Sequence, residues 1–427
     1  MKPKIFMLVD AASFYCSCER VFNTALYGKP VVVLSNNDGN LVAVSAEAKK
    51  LGLKRGQPFF QCRQIIRAHD VQVFSSNYAL YASLSSRMMS AVAELAPRLE
   101  IYSIDESFAE LTDMGIDDLT EFARAVKARV YQHVGIPVRV TVASTKGLSK
   151  IAGELLRGDA RYHDVLDITG FTQEQLGETL ASVAVEDIWG IGSKYARFLR
   201  NYGIETAKDL RDADERWIRK YLTVVGARIQ LELKGTSCIP LEMSRRPKQE
   251  ILCAKSFGNE VTSEGLLQEA ISCYIARAAE KLREQDSLAS RLTVFLRTNG
   301  FDRDAPQYSN DFTIDLPFPT AFTPELIRQA LVGLHAIYRK DYSYKKVGIA
   351  LSRITPLPVI QFDLFQEVTL WSHYKEMRLM AIVDAINRIW GRDTLFFATQ
   401  GTTRSWKMRQ ERLSQRFTTR WEELLTI

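Results

Sequence analysis

Ile5-Phe-Met-Leu-Val-Asp10 and Leu99-Glu-Ile-Tyr-Ser-Ile-Asp-Glu106 decide the reading of the fold. Each is a strand-forming run that halts at carboxylates, and short apolar runs closed by a turn signal predict buried strands. A further run, Pro30-Val-Val-Val-Leu34, leads into the turn formers Ser35-Asn-Asn-Asp-Gly39, and Val138, Val140 and Val142 alternate along another strand. Helical patterns lie between these runs. The first 165 or so residues therefore read as an α+β sheet domain with a lobe inserted near 25–78.

From about 166 to 235 the strand signal disappears and short helical segments follow one another, a small helical domain. Met243-Ser-Arg-Arg-Pro-Lys248 is a basic, Pro-containing linker candidate. Beyond it a helix is predicted near 263–285, then a strand in which Leu292, Val294 and Leu296 alternate. Thr323 as N-cap with Pro324 at the first helical position opens another helix. Val347, Ile349 and Leu351 share one face of a following strand, so 245–355 reads as a second α+β domain. In the tail from 356, residues 404–420 hold six basic side chains against one acidic.

A chain of 427 residues suggests roughly three domains at about 150 residues each. With 46% apolar and 25% charged residues it is neither a disordered nor a fibrous sequence. The net charge of +6 permits a nucleic-acid partner without requiring one. The longest apolar runs fall far short of the roughly 18 residues of a membrane helix, so no span or export signal is expected. Cys16, Cys18, Cys62, Cys238, Cys253 and Cys273 form no Cys-x-x-Cys pair, which points to a reducing cytoplasm and away from structural zinc. The five histidines are too dispersed for a His-based metal cluster, so oxygen ligands are expected for any metal.

Carboxylates at the ends of neighbouring strands, here Asp10 and Asp105-Glu106, can share a hard divalent cation, and Mg²⁺ prefers one or two carboxylates plus substrate phosphates. Acidic residues also end strands because turns favour them, and the pattern by itself leaves both readings open. Phe14-Tyr15 near Asp10 is an aromatic pair of the kind more often found in cores. Lys49 in the lobe and Lys150 after Ser144 are candidates to add charge to a phosphate cradle at a helix N-terminus, although lysines in such places are commonly just solvated. Trp189-Gly-Ile-Gly192, followed by Lys194, Arg197 and Arg200, has the form of a helix-hairpin-helix turn that brings backbone N–H groups to a DNA phosphate; a plain tight turn fits the glycines equally well. Gln361-Phe-Asp-Leu-Phe365 suits a docking peptide with two apolar anchors, or a buried strand.

Taken together, residues 10–19 (DAASFYCSCE), 35–39 (SNNDG), 75–81 (SSNYALY), 102–107 (YSIDES) and 188–192 (IWGIG) resemble the Y-family translesion DNA polymerases, in their UmuC-like branch. The resemblance continues through 248–258 (KQEILCAKSFG), 276–283 (ARAAEKLR), 395–401 (LFFATQG) and 417–425 (FTTRWEELL), and so spans essentially the whole chain. It implies a right-handed polymerase with a palm at 1–24 and 79–165, fingers at 25–78, a helical thumb carrying the helix-hairpin-helix at 166–240, an α+β little finger at 245–355 and a clamp- and partner-binding tail at 356–427.

By match to the family's motifs, Asp10, Asp105 and Glu106 would be the catalytic, metal-binding carboxylates for two Mg²⁺ ions, with the Ala11 carbonyl as a further ligand. Tyr15, with Phe14 beside it, would be the steric gate against the ribose 2′-hydroxyl; Lys49 and Lys150 would hold the triphosphate; Gly190, Gly192 and Lys194 would contact DNA. Gln361, Phe362, Asp363, Leu364 and Phe365 would bind the sliding clamp. The implied partners are primed template DNA, deoxynucleoside triphosphates, a cleaved UmuD-type dimer and a RecA filament, and the implied role is error-prone synthesis in the SOS response. Two departures concern nucleotide handling: Ala12 stands where an Asn is common, and Val44-Ser45 where an Arg-Asn pair is common. A non-catalytic DNA- and clamp-binding damage-response factor is the alternative, and a palm-type nucleotidyl cyclase a weaker third reading.

Overall fold

The computed structural model describes residues 3–158, 160–244, 246–302, 304–357 and 370–425. They form two compact units, one of residues 1–35, 39–245 and 412–427, the other of 36–38 and 246–411.

In the first unit the chain begins with β1 (Phe6–Ala11) and α1 (Phe14–Val21), then crosses a lobe of β2 (Val31–Leu34), β3 (Leu41–Val44), α2 (Ala46–Lys50), α3 (Phe59–Ala68) and β4 (Gln72–Ser75). It continues through α4 (Tyr78–Leu95), β5 (Leu99–Ile101), β6 (Glu106–Glu110), α5 (Leu119–Val134), β7 (Val138–Ala143), α6 (Lys146–Gly158) and β8 (Val165–Asp167). The main sheet has the order β5-β6-β1-β7-β8, with β1 antiparallel to both neighbours. A strand central in a sheet covered on both faces must be apolar almost throughout, which is why β1 reads as a run rather than an alternation. The lobe has its own sheet, β3-β2-β4, closed over a small core of Val32, Leu34, Leu41 and Ile66.

Helices α7 (Gln173–Ala181), α8 (Ser193–Arg200), α9 (Ala207–Asp212) and α10 (Glu215–Leu233) follow. Thr172 and Thr206 close capping boxes at the heads of α7 and α9, and Asp214 caps α10, so three of these four starts are fixed by side chains that satisfy otherwise orphaned N–H groups. Their apolar faces share a core with Leu148, Ile151 and Ala152 of α6.

The second unit runs β9 (Ile251–Val261), α11 (Glu264–Glu284), β10 (Ser287–Thr298), β11 (Ser309–Thr320), α12 (Thr323–Ile337), β12 (Tyr344–Pro356) and α13 (Leu370–Trp390). Its sheet, β11-β10-β12-β9, is antiparallel throughout, with α11 and α12 packed into one continuous core. Two features differ from the sequence expectation. Phe322, not Thr323, stands at the cap of α12, which puts Pro324 at the second helical position rather than the first; the buried Thr323 hydroxyl is engaged instead by the Arg283 guanidinium at 3.1 Å. Strand β11 carries Pro317 and Pro319, residues that an edge strand tolerates and that hide it from a periodicity reading. No helix among the described residues is long and apolar enough to cross a membrane.

Candidate active site

The alternation of β1 sorts its side chains. Met7 and Val9 enter the core beneath α4 and α5, whereas Leu8 meets α6, where a Cβ placed on Gly153 would stand 3.9 Å from the Leu8 side chain. Asp10, two residues on from Leu8, is therefore delivered to the α6 side. Across the ladder it pairs with Glu106 of β6 and Arg139 of β7, and directly opposed residues project to the same face. The Ala11 N–H donates to the Asp105 carbonyl at 2.9 Å, so the two acidic segments are locked together by backbone as well as register.

The carboxylates do lie at the ends of neighbouring strands, but the strand limits differ from those read in the sequence, and Asp105 falls in the turn before β6. Strand β1 runs through Asp10 to Ala11, β5 stops at Ile101, and Glu106 opens β6. The N–H groups of Tyr102 and Ser103 both donate to the Glu106 carbonyl, closing the turn between β5 and β6.

The charges are crowded. Burial, followed by the neighbouring Glu106 and offset by Arg157, pushes the Asp10 carboxyl up to about 6, with Asp105 adding to the rise. Lys150 Nζ donates to Glu106 Oε2 at 2.7 Å and lies over the rings of Tyr102 and Phe108 at 5.0 and 5.6 Å. Arg157 approaches Asp10 at 3.8 Å, and the Ser103 hydroxyl donates to Asp105 Oδ1 at 2.6 Å. Among the described residues no three His, Cys, Asp or Glu side chains gather closely enough to hold a metal ion by themselves. The donors are all hard oxygens with an excess of negative charge raising a partly buried carboxyl, a set that fits Mg²⁺ completed by substrate oxygens.

Tyr15 stands in the first turn of α1, stacked on Tyr81 at 4.3 Å and 18°, edge-on to Tyr78 at 6.3 Å, with Phe14 at 5.8 Å. Burial first, then Tyr78 and Asp105, push its hydroxyl up to about 12. The chain enters α1 through Ser13 at φ +47, and the Ser13 hydroxyl donates to the Val44 carbonyl at 3.1 Å, tying the turn to β3. Ser45, one of the departures, accepts from the Ala48 N–H at 3.3 Å as the cap of α2 and from the Val31 N–H at 3.1 Å, so its hydroxyl is structurally occupied.

Asp10, Ala11, Asp105, Glu106 and Lys150 are thus brought together, with Tyr15 alongside. Lys150 sits in the second turn of α6, but Lys49 is exposed in the last turn of α2, so the helix N-terminus argument applies to the first lysine alone. Gly190 has φ +92, and a Cβ there would stand 2.8 Å from Ile229 Cδ1, so the turn itself requires the glycine. Gly192 caps α8 with open space before it, and Lys194 is exposed. Arg200 is engaged in an ion pair with Glu186. The segment Gln361–Phe365 lies outside the described residues.

Sequence reasoning did not single out Arg139, Arg157, Ser103 or the bond from Trp189 Nε1 to the Tyr102 hydroxyl at 2.9 Å. Only Ser103 left a local signal, a hydroxyl two residues before Asp105 in a turn. The rest depend on which elements become neighbours.

Comparison with known proteins agrees with this geometry. The impB/mucB/samB family model matches residues 9–154, the model of that family's C-terminal domain matches 248–364, and a domain of unknown function, DUF4113, matches 377–427. Protein UmuC of Salmonella typhimurium is 40% identical over 425 residues, covering 99% of this chain and 100% of that protein. DNA polymerase IV 1 of Bacillus subtilis is 28% identical over 306 residues, 69% of this chain and 70% of its own. Among solved structures, a Y-family DNA polymerase chimera of Dbh and Dpo4 superposes with a TM-score of 0.65 at 22% identity, covering 82% of this chain and 99% of that one, and an insertion ternary complex of Dbh polymerase with 0.54 at 21%, covering 82% and 99%. The palm, fingers, thumb and little-finger architecture is therefore the fold of this chain, which belongs to the impB/mucB/samB family as a UmuC-like Y-family DNA polymerase.

Proposed function

We propose that Asp10, the Ala11 carbonyl, Asp105 and Glu106 form the centre at which this polymerase joins a deoxynucleotide to a primer, in error-prone translesion synthesis on damaged template. The observation that carries the assignment is the register of Asp10 against Glu106, which gathers the carboxylates on the face that α6 covers with Lys150.

These residues would hold a pair of Mg²⁺ ions. What bound magnesium supplies there is activation of the primer 3′-hydroxyl and neutralisation of charge on the departing pyrophosphate. The chain's own part is positioning. Lys150, held by Glu106 and by the faces of Tyr102 and Phe108, is placed to turn to the triphosphate when the carboxylate is otherwise engaged. Tyr15, fixed against Tyr81, sets the wall against a ribose 2′-hydroxyl, with Phe14 behind it. Lys49 is assigned to the triphosphate by family resemblance alone.

The domain limits inferred from sequence are retained: palm 1–24 and 79–165, fingers 25–78, thumb 166–240, little finger 245–355 and tail 356–427. Gly190, Gly192 and Lys194 would meet the DNA backbone, and Gln361–Phe365 the sliding clamp. A cleaved UmuD-type dimer and a RecA filament are the expected activators. A cytoplasmic location fits six cysteines that are all unpaired. A non-catalytic DNA- and clamp-binding factor is not favoured, since nothing in such a role requires adjacent, partly buried carboxylates with an attendant lysine.

Mg²⁺-dependent primer extension across an abasic template site, with clamp, RecA filament and UmuD-type partner added stepwise, tests the assignment. Asp105→Ala and Glu106→Ala are each expected to lose roughly 10²–10³-fold or more in rate. Near-normal extension by either variant would remove that residue from the centre.

A further inference from the structure

The C-terminal segment 412–425 folds back within the first unit and fastens to the elements that hold Tyr15. Arg412 pairs with Ser75 at the end of β4: the Ser75 N–H donates to the Arg412 carbonyl at 2.9 Å, and the Arg412 N–H to the Ser75 hydroxyl at 3.0 Å. Asn77, 1% exposed, does two jobs with its two ends. Its Oδ1 accepts from the Leu80 N–H as the cap of α4, and its Nδ2 donates to the Ser414 carbonyl at 3.1 Å, the Ser414 hydroxyl at 3.0 Å and the Gln415 carbonyl at 3.1 Å. Phe417 stacks on Phe22 just past the end of α1, at 4.7 Å and 16°.

One polar thread then runs from this segment to the ring of Tyr15. The Ser414 hydroxyl donates to Glu19 Oε1 at 3.1 Å, and the Tyr81 hydroxyl donates to the same oxygen at 2.6 Å. Glu19 and Tyr81 are 2% and 0% exposed, and the Tyr81 ring is the one stacked against Tyr15. Glu19 lies one helical turn beyond Tyr15 on α1, so the same carboxylate anchors both sides of the ring stack. Among the described residues Glu19 makes no ion pair, and a buried carboxylate so placed has to collect hydroxyl donors, one of which comes from the C-terminal segment.

We propose that the C-terminal segment is a positioning element for the nucleotide site: Ser414 and Asn77, acting through Glu19 and Tyr81, hold the Tyr15 ring in the place from which it discriminates against ribonucleotides. The proposal rests on Tyr15 being the sugar gate.

The test compares kcat/KM for a deoxynucleotide and the matching ribonucleotide on primed template, using the full chain. Asn77→Asp keeps an acceptor oxygen to cap α4 and replaces the amide donors to the segment with a carboxyl group; Ser414→Ala removes the hydroxyl from Glu19. Each is expected to lower the deoxy-to-ribo ratio by about three- to tenfold, through a better ribonucleotide KM. Loss of packing alone lowers both rates together and leaves the ratio in place. An unchanged ratio in Ser414→Ala and Asn77→Asp, beside a relaxed ratio in Tyr15→Ala, overturns the proposal. An unchanged ratio in Tyr15→Ala overturns the gate on which it stands. Should Asn77→Asp not fold, Tyr81→Phe, which keeps the ring and removes its tie to Glu19, decides the matter by the same ratio.

Discussion

At the residue scale, Glu19 is the least expected member of the site. It sits within the quoted stretch 10–19, yet charge count and spacing give no hint that a carboxylate there is buried, because its burial depends on α4 and on a segment almost four hundred residues away. Burial raises its pKa above the ordinary 4.5, and the hydroxyls of Tyr81 and Ser414 only partly offset this. The folded protein therefore binds this proton more tightly than the unfolded chain does. Stability from this group is highest below the ordinary value and falls as pH rises through the folded one. Glu19→Gln keeps an oxygen to accept both hydroxyls and removes the charge. Denaturant unfolding between about pH 4 and about pH 7 is expected to show the variant gaining on the parent as pH rises, and a parallel pair of curves would show that Glu19 ionises as freely folded as unfolded. Asp10, Asp105 and Glu106, by contrast, could be put forward from sequence as candidates, since their type and their place beside apolar runs are local facts, and so could Lys150; Arg139 and Arg157, which attend Asp10, could not.

At the element scale, what could be read were the segments whose signal is carried by their own residues. Strand β1, helix α11 and the head of α12 announce themselves by run length, periodicity or Pro324. Strand β11, with its two prolines and largely exposed face, and α13 do not. The Trp189-Gly-Ile-Gly192 turn shows how a motif can hold two meanings at once. Gly190 is required by its positive φ and by the 2.8 Å approach of Ile229, whatever the turn binds, while Trp189 fastens the turn to Tyr102 beside the carboxylates. Gly190→Ala puts a Cβ into both the strained backbone region and the Ile229 side chain, and is expected to cost about 1–3 kcal/mol in a denaturant titration. Gly192→Ala, at an ordinary φ and with nothing within 4 Å, serves as its control, with an expected loss of no more than about 0.5 kcal/mol. Equal losses would mean that the conformation of the turn, not the packing of Gly190, sets its stability.

At the scale of the whole molecule, sequence order is a poor guide to which parts stand together. The chain leaves the second unit at Glu411, and its last described residues belong with the first, so the unit that begins at the N-terminus is completed by the C-terminus. No composition or periodicity argument reveals such closure, because residues 412–425 are short of apolar residues and show only a short 3₁₀ turn at Trp421–Glu423; their order comes from Ser75, Asn77, Glu19 and Phe22. Ending the chain at Glu411 takes a partner from three buried polar side chains, Ser75, Asn77 and Glu19, leaves the Asn77 amide N–H groups with none among the described residues, and exposes one face of Phe22. An unsatisfied buried amide costs about 1–3 kcal/mol and a lost aromatic stack about 0.5–1.5 kcal/mol, so a loss of roughly 1.5–4.5 kcal/mol or more is expected in the first unit. Amide hydrogen exchange locates such a loss. Exchange should quicken in α1 and in the first turns of α4, while β10 and β12 keep the protection of the parent, since their core is built entirely from residues of the second unit. Faster exchange spread evenly over both units would mean that the segment supports the fold as a whole, and unchanged exchange in α1 and α4 would mean that the buried Glu19 and Asn77 find other partners once it is gone.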